Sequence, residues 1–171
     1  YTTTPLTEIE VEGNGYSISN GALTPQKLDQ TDFGALTVLG TQVITSFTIA
    51  NRGTDELVNL AVQLVDASAS FTIVAQPSSS LTPGQSSLVQ IAFTAQTLGL
   101  HKAIVVINSN DSDEAPYTFT IQAYYCHDAI IVNSPAGAGP DSVAAAIDNI
   151  CPGGMITFAP ALSGATIALS H

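Results

Sequence analysis

The sequence predicts an all-β protein: an antiparallel β-sandwich followed by a C-terminal extension with one short helix and a few strands. About seven or eight short stretches alternate apolar and polar residues, and turn signals separate them about every 8 to 14 residues. After Ala123 this alternation stops and alanine, glycine and proline become frequent. We therefore expect a sandwich over residues 1–123 and a distinct tail over 124–171.

The first strand is predicted at residues 7–12, where Ile9 and Val11 share one face. The glutamates that alternate with them point outwards and oppose pairing with other chains. Farther along the chain, Phe33 precedes a glycine and is expected to anchor the core.

The central strand is predicted at residues 41–50, and the fold is expected to be organised around it. Its side chains step by two through one inward series, which comprises Val43, Thr45, Phe47 and Ile49. It ends at residues 51–53, Asn-Arg-Gly, where Asn and Gly tolerate the backbone angles of a chain reversal.

The same alternation predicts the other sandwich strands, at residues 56–64, 71–74, 87–94, 101–108 and 117–121. In one of them, either Leu88 or Val89 begins the inward series that leads to Phe93. A Pro-Gly pair at 83–84 predicts the turn before that strand.

The tail is predicted to contain one helix, about 141–150, and three strands, at about 129–132, 155–158 and 166–169. Either Asp141 or Ser142 can cap the first amides of the helix. Three consecutive alanines favour the helix, and a Pro-Gly-Gly sequence at 152–154 ends it.

The charge of the chain excludes several classes of partner. Its net charge is −11, and its three basic residues are Lys27, Arg52 and Lys102. So few cations cannot neutralise a phosphate backbone, so no nucleic acid is expected as a partner. No apolar run reaches about 18 residues, so no membrane insertion is expected. Only 10% of residues are charged, a composition typical of secreted and cell-surface proteins.

The two cysteines, Cys126 and Cys151, match no metal-binding spacing and predict a disulfide. The sequence leaves open whether they bond within one chain or between two, and two buried thiols are the alternative. A disulfide indicates an extracellular location. The chain runs from Tyr1 to His171 without an initiator methionine, which favours a processed product or an excised fragment.

One stretch has the oxygen-rich composition of a calcium loop. Five side chains there are candidate ligands: Asn108, Asn110, Asp111, Asp113 and Glu114. The alternative is a solvated turn, which Asn and Asp also favour. No other cofactor is expected. The three histidines are scattered, and no nucleophile elbow, phosphate loop or zinc-protease motif occurs, so the chain is not expected to be an enzyme.

Five motifs of the first region occur in the order seen in the bacterial choice-of-anchor D domain, which this region resembles. They are Glu8-Ile9-Glu10-Val11-Glu12-Gly13-Asn14-Gly15, Thr31-Asp32-Phe33-Gly34, Phe47-Thr48-Ile49-Ala50-Asn51-Arg52-Gly53-Thr54, Leu81-Thr82-Pro83-Gly84 and the acidic turn from Asn108 to Tyr117. The resemblance covers about residues 7–123. It implies a hydin-type immunoglobulin-like sandwich that serves as a spacer or adhesive unit in a secreted or surface-anchored protein, without catalytic residues.

The tail resembles the start of a secreted right-handed parallel β-helix. The resemblance rests on the helix at 142–150, the Cys-Pro-Gly-Gly sequence at 151–154 and the apolar strands on either side. A single coil buries too little apolar surface to be stable alone. We therefore expect the tail to pack against the sandwich, another copy or further sequence.

These observations predict a non-enzymatic, extracellular bacterial structural protein that self-associates by β-strand addition into a filament or larger assembly, or that docks on neighbouring domains of the same protein. The residues expected to form the assembly strands are Ile130, Val132, Ile156, Phe158, Ile167 and Leu169. An adhesive module is an alternative, with a glycan or protein ligand bound by an exposed tyrosine cluster, Tyr16, Tyr117, Tyr124 and Tyr125. Another is the N-terminal part of a larger β-helix protein acting on polysaccharide.

Overall fold

The computed structural model describes residues 7–65 and 69–168. The described chain divides into two compact units. The sandwich unit takes in residues 7–34, 42–94 and 101–123. The tail unit takes in 124–168 together with two segments, 35–41 and 95–100, that the predicted division at residue 123 does not include.

The described residues form thirteen strands, one α-helix and one 3-10 helix. In chain order the elements are β1 Ile9–Gly13, β2 Tyr16–Ser17, β3 Asp32–Leu36, β4 Gln42–Asn51, β5 Leu57–Val58, β6 Ala61–Val65, β7 Phe71–Ala75, β8 Ser80–Leu81, β9 Ser86–Thr94, β10 Gly99–Asn108, β11 Tyr117–Tyr125, β12 His127–Val132, α1 Val143–Asn149, β13 Ile150–Phe158 and the 3-10 helix Pro160–Leu162.

Two antiparallel sheets form the sandwich, which confirms the predicted architecture. The five-stranded sheet has the order β2-β1-β4-β9-β7, and the four-stranded sheet has the order β3-β11-β10-β6. Strand β4 lies at the centre of the larger sheet, since it pairs with β1 on one side and with β9 over nine residue pairs on the other. The stretch predicted at 41–50 is therefore the organising strand of its sheet.

Aromatic side chains fill the core between the sheets. The ring of Phe47 in β4 lies 5.2 Å from the ring of Phe119 in β11, measured between centroids, which joins the two sheets. Phe33 lies 6.3 Å from Phe47 and 5.5 Å from Phe71, as expected for a core anchor. In β9, Val89 is buried and Leu88 is exposed, so the inward series begins at Val89.

Gly13 is required where β1 approaches the loop before β3. A Cβ atom at this position would lie 1.8 Å from the backbone oxygen of Asp29 and 3.2 Å from Cδ1 of Phe47. The first contact is with backbone and cannot be relieved by a side-chain rotation. The glycine therefore lets the end of β1 lie against the backbone of the loop before β3.

In the tail unit, β12 and β13 form a two-stranded parallel sheet, and α1 connects them. The helix is shorter than the predicted 141–150. It begins after Ser142, which has an extended backbone. The hydroxyl of Ser142 caps the helix by accepting a hydrogen bond from the Ala145 N–H at 3.2 Å. Asp141 has a left-handed φ of 59° and is therefore not part of the helix. It ends at Asn149, since Ile150 is extended and already belongs to β13.

The third strand predicted in the tail does not form. Thr166, Ile167 and Ala168 have no strand partner among the residues described, and a strand without a partner leaves its backbone groups unpaired. The last residue of that predicted strand, Leu169, lies outside the described residues. The predicted strand 155–158 is instead the second half of β13.

Candidate functional site

The acidic turn between β10 and β11 contributes to a cluster of three carboxylates. Asp111 and Glu114 come from the predicted oxygen-rich stretch, and Glu8 joins them from the residue before β1. One carboxylate oxygen from each residue lies within 4.8 Å of the others. We call this group the carboxylate cluster.

Three of the predicted calcium ligands are not members of this group. The side chain of Asn110 is engaged elsewhere: its Oδ1 accepts a hydrogen bond from the Val58 N–H at 2.8 Å, and its Nδ2 donates to the Glu56 oxygen at 3.1 Å. Asn108 is exposed at the end of β10, and Asp113 is exposed in the turn. Asn110 therefore fixes the turn to β5 and to the residue before it.

Asp111 is the buried centre of the carboxylate cluster, with 0% of its surface exposed. Its Oδ2 accepts a hydrogen bond from the Ile9 N–H at 2.9 Å, which ties the turn to the first residue of β1. Its Oδ1 is buried without a hydrogen-bond partner, and so is Oε2 of Glu114. Buried carboxylate oxygens without donors are costly, so these two atoms need an explanation.

Burial and mutual repulsion perturb all three carboxyl groups. Burial raises the pKa of Asp111 above its ordinary value. Burial also raises the pKa of Glu114, and the charges of Glu8, Asp111 and Asp113 raise it further. The pKa of Glu8 is raised by burial and by the charges of Asp111 and Asp113. The cluster therefore binds protons more readily than separate carboxylates do.

These shifts predict how stability depends on pH when divalent cations are removed with EDTA. A raised carboxyl pKa stabilises the fold fully below the ordinary values of 3.8 to 4.5, and this contribution is lost as the pH rises through the raised pKa values. We therefore expect the urea midpoint to fall as the pH rises above these ordinary values, and to fall less in Glu114→Gln. The exposed Glu56→Gln changes net charge equally and is the control. Equal slopes in the wild type and Glu114→Gln would contradict this expectation.

An open cleft of about 510 Å³ adjoins the carboxylate cluster, and both Glu8 and Glu114 line it. Its basic residue, Arg52, is already paired with Glu10 at 2.5 Å and with Glu12 at 3.5 Å. Tyr117 also lines the cleft, and burial raises the pKa of its hydroxyl to about 12. That hydroxyl donates to the Ile18 oxygen. The cleft is thus lined by three glutamates and one arginine, so acidic groups outnumber basic ones.

The tyrosine cluster considered for ligand binding is not available as a set. Tyr117 and Tyr125 are buried, whereas Tyr16 is exposed and Tyr124 is half-buried. The histidines occupy separate places: His101 is buried beside Phe93, with ring centroids 5.3 Å apart. His127 lies beside Tyr125, with ring centroids 6.1 Å apart, and His171 is outside the described residues.

Cys126 and Cys151 form a disulfide within one chain, with an S–S distance of 2.14 Å. This confirms the predicted bond and answers the question of connectivity. The bond joins the residue before β12 to the second residue of β13. Within the same unit, the Cys126 N–H donates to the Leu36 oxygen at 3.1 Å, so the start of β12 is held to one of the two connecting segments.

The parallel tail sheet is covered on one face only. Ile130 pairs in register with Ile156, and both are partly covered. Ile130 also lines a small cavity of about 160 Å³ with the helix residues Ala145 and Ala146. Val132 is fully buried. Three of the residues predicted to form assembly strands therefore point away from solvent.

The opposite face of the tail sheet is exposed and apolar. Ile131 and Met155 lie on it, with 58% and 61% of their surfaces exposed, and Ala129 and Thr157 are their neighbours in register. Phe158, at the end of β13, is 52% exposed. Phe158 pairs in register with Val132, so it lies on the other side of the sheet, and none of the assembly residues predicted in β12 and β13 lies on the face of Ile131 and Met155. Strand alternation could have identified the exposed residue Ile131, because it lies between two inward residues and must face outwards.

Residues 26–124, more than half of the chain, match the family described as HYDIN/CFA65/VesB-like, Ig-like domain. The fold is similar to the ASH/PapD-like domain 7 of human CEP192, at 13% identity and a TM-score of 0.51, over 74% of this chain and 91% of that one. It is also similar to a Porphyromonas gingivalis W83 protein of unknown function, at 19% identity and a TM-score of 0.50, over 72% and 50%. These similarities confirm the predicted immunoglobulin-like class of sandwich.

A further structural similarity is to the Vibrio cholerae VesB protease, at 15% identity and a TM-score of 0.45, over 70% of this chain and 31% of that one. The chain thus spans half of the Porphyromonas protein and less than a third of the protease chain. No curated protein sequence matches the chain significantly. Within the described residues, no helix is long and apolar enough to cross a membrane.

Proposed function

The chain belongs to the HYDIN/CFA65/VesB-like Ig-like domain family, and from this premise we propose that it is a non-enzymatic, extracellular bacterial structural protein that self-associates through its tail. The observation that carries the proposal is the exposed apolar face of the parallel β12–β13 sheet. The disulfide supports an extracellular location, because such bonds persist in oxidising compartments. No catalytic step is part of the proposal, since the sequence has no motif that pairs a nucleophile with a base.

The tail sheet has two features that favour a partner. Parallel sheets are usually buried on both faces, whereas this one is covered by α1 on one face and open on the other. Among the residues described, no third strand extends it, so each strand offers one edge of backbone donors and acceptors. A further strand would satisfy that edge, and burial of the apolar face would stabilise the contact.

A second copy of the chain is the partner that the surface chemistry favours. Copies with a net charge of −11 repel one another, so their contact should avoid charged side chains. The exposed face offers Ala129, Ile131, Met155 and Thr157 and carries no charge. A contact between unlike surfaces of successive copies would propagate into a filament unless its rotation closed a ring.

Replacing Ile131 and Met155 together by aspartate tests this proposal. Wild-type protein is expected to form oligomers or filaments at micromolar concentration, measured by analytical ultracentrifugation and negative-stain electron microscopy. The double variant places two charges in the contact, so association should weaken by at least about tenfold. Leu23→Asp is the matched control, because Leu23 is 77% exposed and lies in the sandwich unit. A wild-type chain that stays monomeric at all concentrations would refute self-association.

The parallel pairing of β12 and β13 favours a second candidate function. Strand, helix and parallel strand follow in the order expected for the start of a parallel β-helix. The chain would then be part of a longer protein acting on polysaccharide, and the next coil would cover the apolar face. In a longer product of the parent gene, the next coil would cover Met155 and protect it from chemical oxidation at every protein concentration. Self-association would protect Met155 only at concentrations at which oligomers form.

A further inference from the structure

Two buried carboxylate oxygens in the sandwich unit, Oδ1 of Asp111 and Oε2 of Glu114, have no hydrogen-bond donor. They belong to the carboxylate cluster, whose third member is Glu8. Asp111 has 0% of its surface exposed, so bulk water does not solvate it. Burial of unpaired carboxylates costs far more free energy than burial of a neutral polar group, so a positively charged partner would stabilise this arrangement.

No basic side chain supplies that charge. The basic residue lining the adjacent cleft, Arg52, is already engaged by Glu10 and Glu12. A single shared proton would neutralise one of the three carboxyl groups and leave two charges close together. A divalent cation would offset more of the repulsion, and both unpaired oxygens could act as its ligands.

We propose that Glu8, Asp111 and Glu114 bind one calcium ion. Oxygen ligands lie 2.3 to 2.6 Å from calcium, so two ligands on opposite sides of the ion are roughly 5 Å apart. The cluster's ligand atoms, all within 4.8 Å of one another, fit around one such ion. Both oxygens of a carboxylate can bind, and the adjoining cleft gives water access to the remaining positions.

The donor set favours calcium over other common metals. All three side chains offer oxygen only, whereas structural zinc sites use cysteine and histidine. Magnesium requires a near-ideal octahedron at about 2.0 to 2.1 Å and is usually held by one or two carboxylates with several waters. Three carboxylates from two parts of the chain form a more anionic and less regular site, which suits calcium.

The ion would act as a clamp between distant parts of the chain. Glu8 precedes β1, whereas Asp111 and Glu114 belong to the turn between β10 and β11. The hydrogen bond from the Ile9 N–H to Asp111 Oδ2 already joins these segments. Calcium would add direct bonds across the same junction and would stabilise the folded state by binding it preferentially.

Isothermal titration calorimetry of the full chain with calcium chloride, after dialysis against EDTA, tests the site. The expected affinity is that of extracellular modules, a Kd of roughly 0.1 to 1 mM. Saturation at about a hundred times Kd should raise the Tm by roughly 5 to 10 °C. Magnesium chloride at the same concentration should raise the Tm less.

Glu8→Gln and Glu114→Gln are each expected to weaken calcium binding at least about tenfold. Glu10→Gln is the matched control, because Glu10 lines the same cleft but is not in the cluster. Asp111→Asn keeps an acceptor for the Ile9 N–H and should also lose calcium-dependent stabilisation. Circular dichroism of each variant shows whether it is folded before titration. Absence of calcium binding to the wild type, or unchanged binding in both glutamine variants, would overturn the proposal.

Discussion

Replacing Phe47 by alanine is expected to lower the free energy of unfolding of the sandwich by about 3 to 5 kcal/mol. Phe47 is fully buried at the centre of β4, and its ring contacts both Phe33 and Phe119. Truncation removes apolar area from the core and leaves a cavity that two packed sheets cannot close without moving their strands. The edge-to-face packing with Phe119 is lost as well.

Equilibrium unfolding in urea, followed by far-ultraviolet circular dichroism, measures this change. Leu88→Ala is the matched control, because Leu88 lies in the neighbouring strand β9, opposite Thr48, and is 51% exposed. The control should lose less than about 1 kcal/mol. A loss of similar size in both variants would mean that Phe47 is not a principal contact between the sheets.

Replacing both Cys126 and Cys151 by serine is expected to destabilise the tail unit by about 3 to 4 kcal/mol. The bond closes a loop between residues 25 apart in sequence, and its removal restores the corresponding freedom to the unfolded chain. The rest of this unit has a small core, because α1 buries only Ala146 and the sheet has two strands among the residues described. We therefore expect the tail to unfold while the sandwich stays folded.

Limited proteolysis with mass spectrometry locates the effect. In the double-serine variant, cleavage should become rapid within residues 127–165, and a sandwich core should persist. Wild-type protein treated with a reductant should show the same pattern, which separates loss of the bond from any effect of the serines. A single cooperative loss of both units would show that the tail is part of the folding unit of the sandwich.

Local alternation was sufficient to predict the sandwich, because each half-buried strand shows its inward face in sequence. The prediction at 41–50 differs by one residue at each end from β4, Gln42–Asn51. The two-residue strands β2 and β8 were not predicted, since two residues cannot display a period. The strand predicted at 56–64 is divided into β5 and β6. The choice between Leu88 and Val89 also required the structure, because both are apolar.

The carboxylate cluster could be predicted only in part. The turn residues Asp111 and Glu114 stand out by composition, but Glu8 belongs to an alternating strand and looked like one of three outward acids. Only the contact between β1 and the turn in the folded structure brings Glu8 close to Asp111 and Glu114. The sequence also does not show that the side-chain amide of Asn110 hydrogen-bonds to the backbone of Val58 in β5 and of Glu56 before it.

The tail shows more clearly which elements a local sequence pattern can predict and which it cannot. The helix and the disulfide were recognisable, since Ser142, the alanines and the two cysteines carry local or covalent signals. The strand predicted at 166–169 had the right composition, but strand formation also needs a neighbour, and none is present among the residues described. Sequence alternation reports which residues suit a strand and does not report which partner is available.

The hydrogen bond between Ile9 and Asp111 also constrains the order in which the chain can fold. It joins residues 102 apart in sequence, so this contact of β1 needs almost the whole sandwich sequence to be present. Central pairs such as Gln42 with Thr94 also span a long stretch of chain. Folding dominated by such distant contacts is slow, typically milliseconds to seconds. During synthesis or export, β1 can pair with β4 early, but its hydrogen bond to Asp111 forms only after the turn before β11 has emerged.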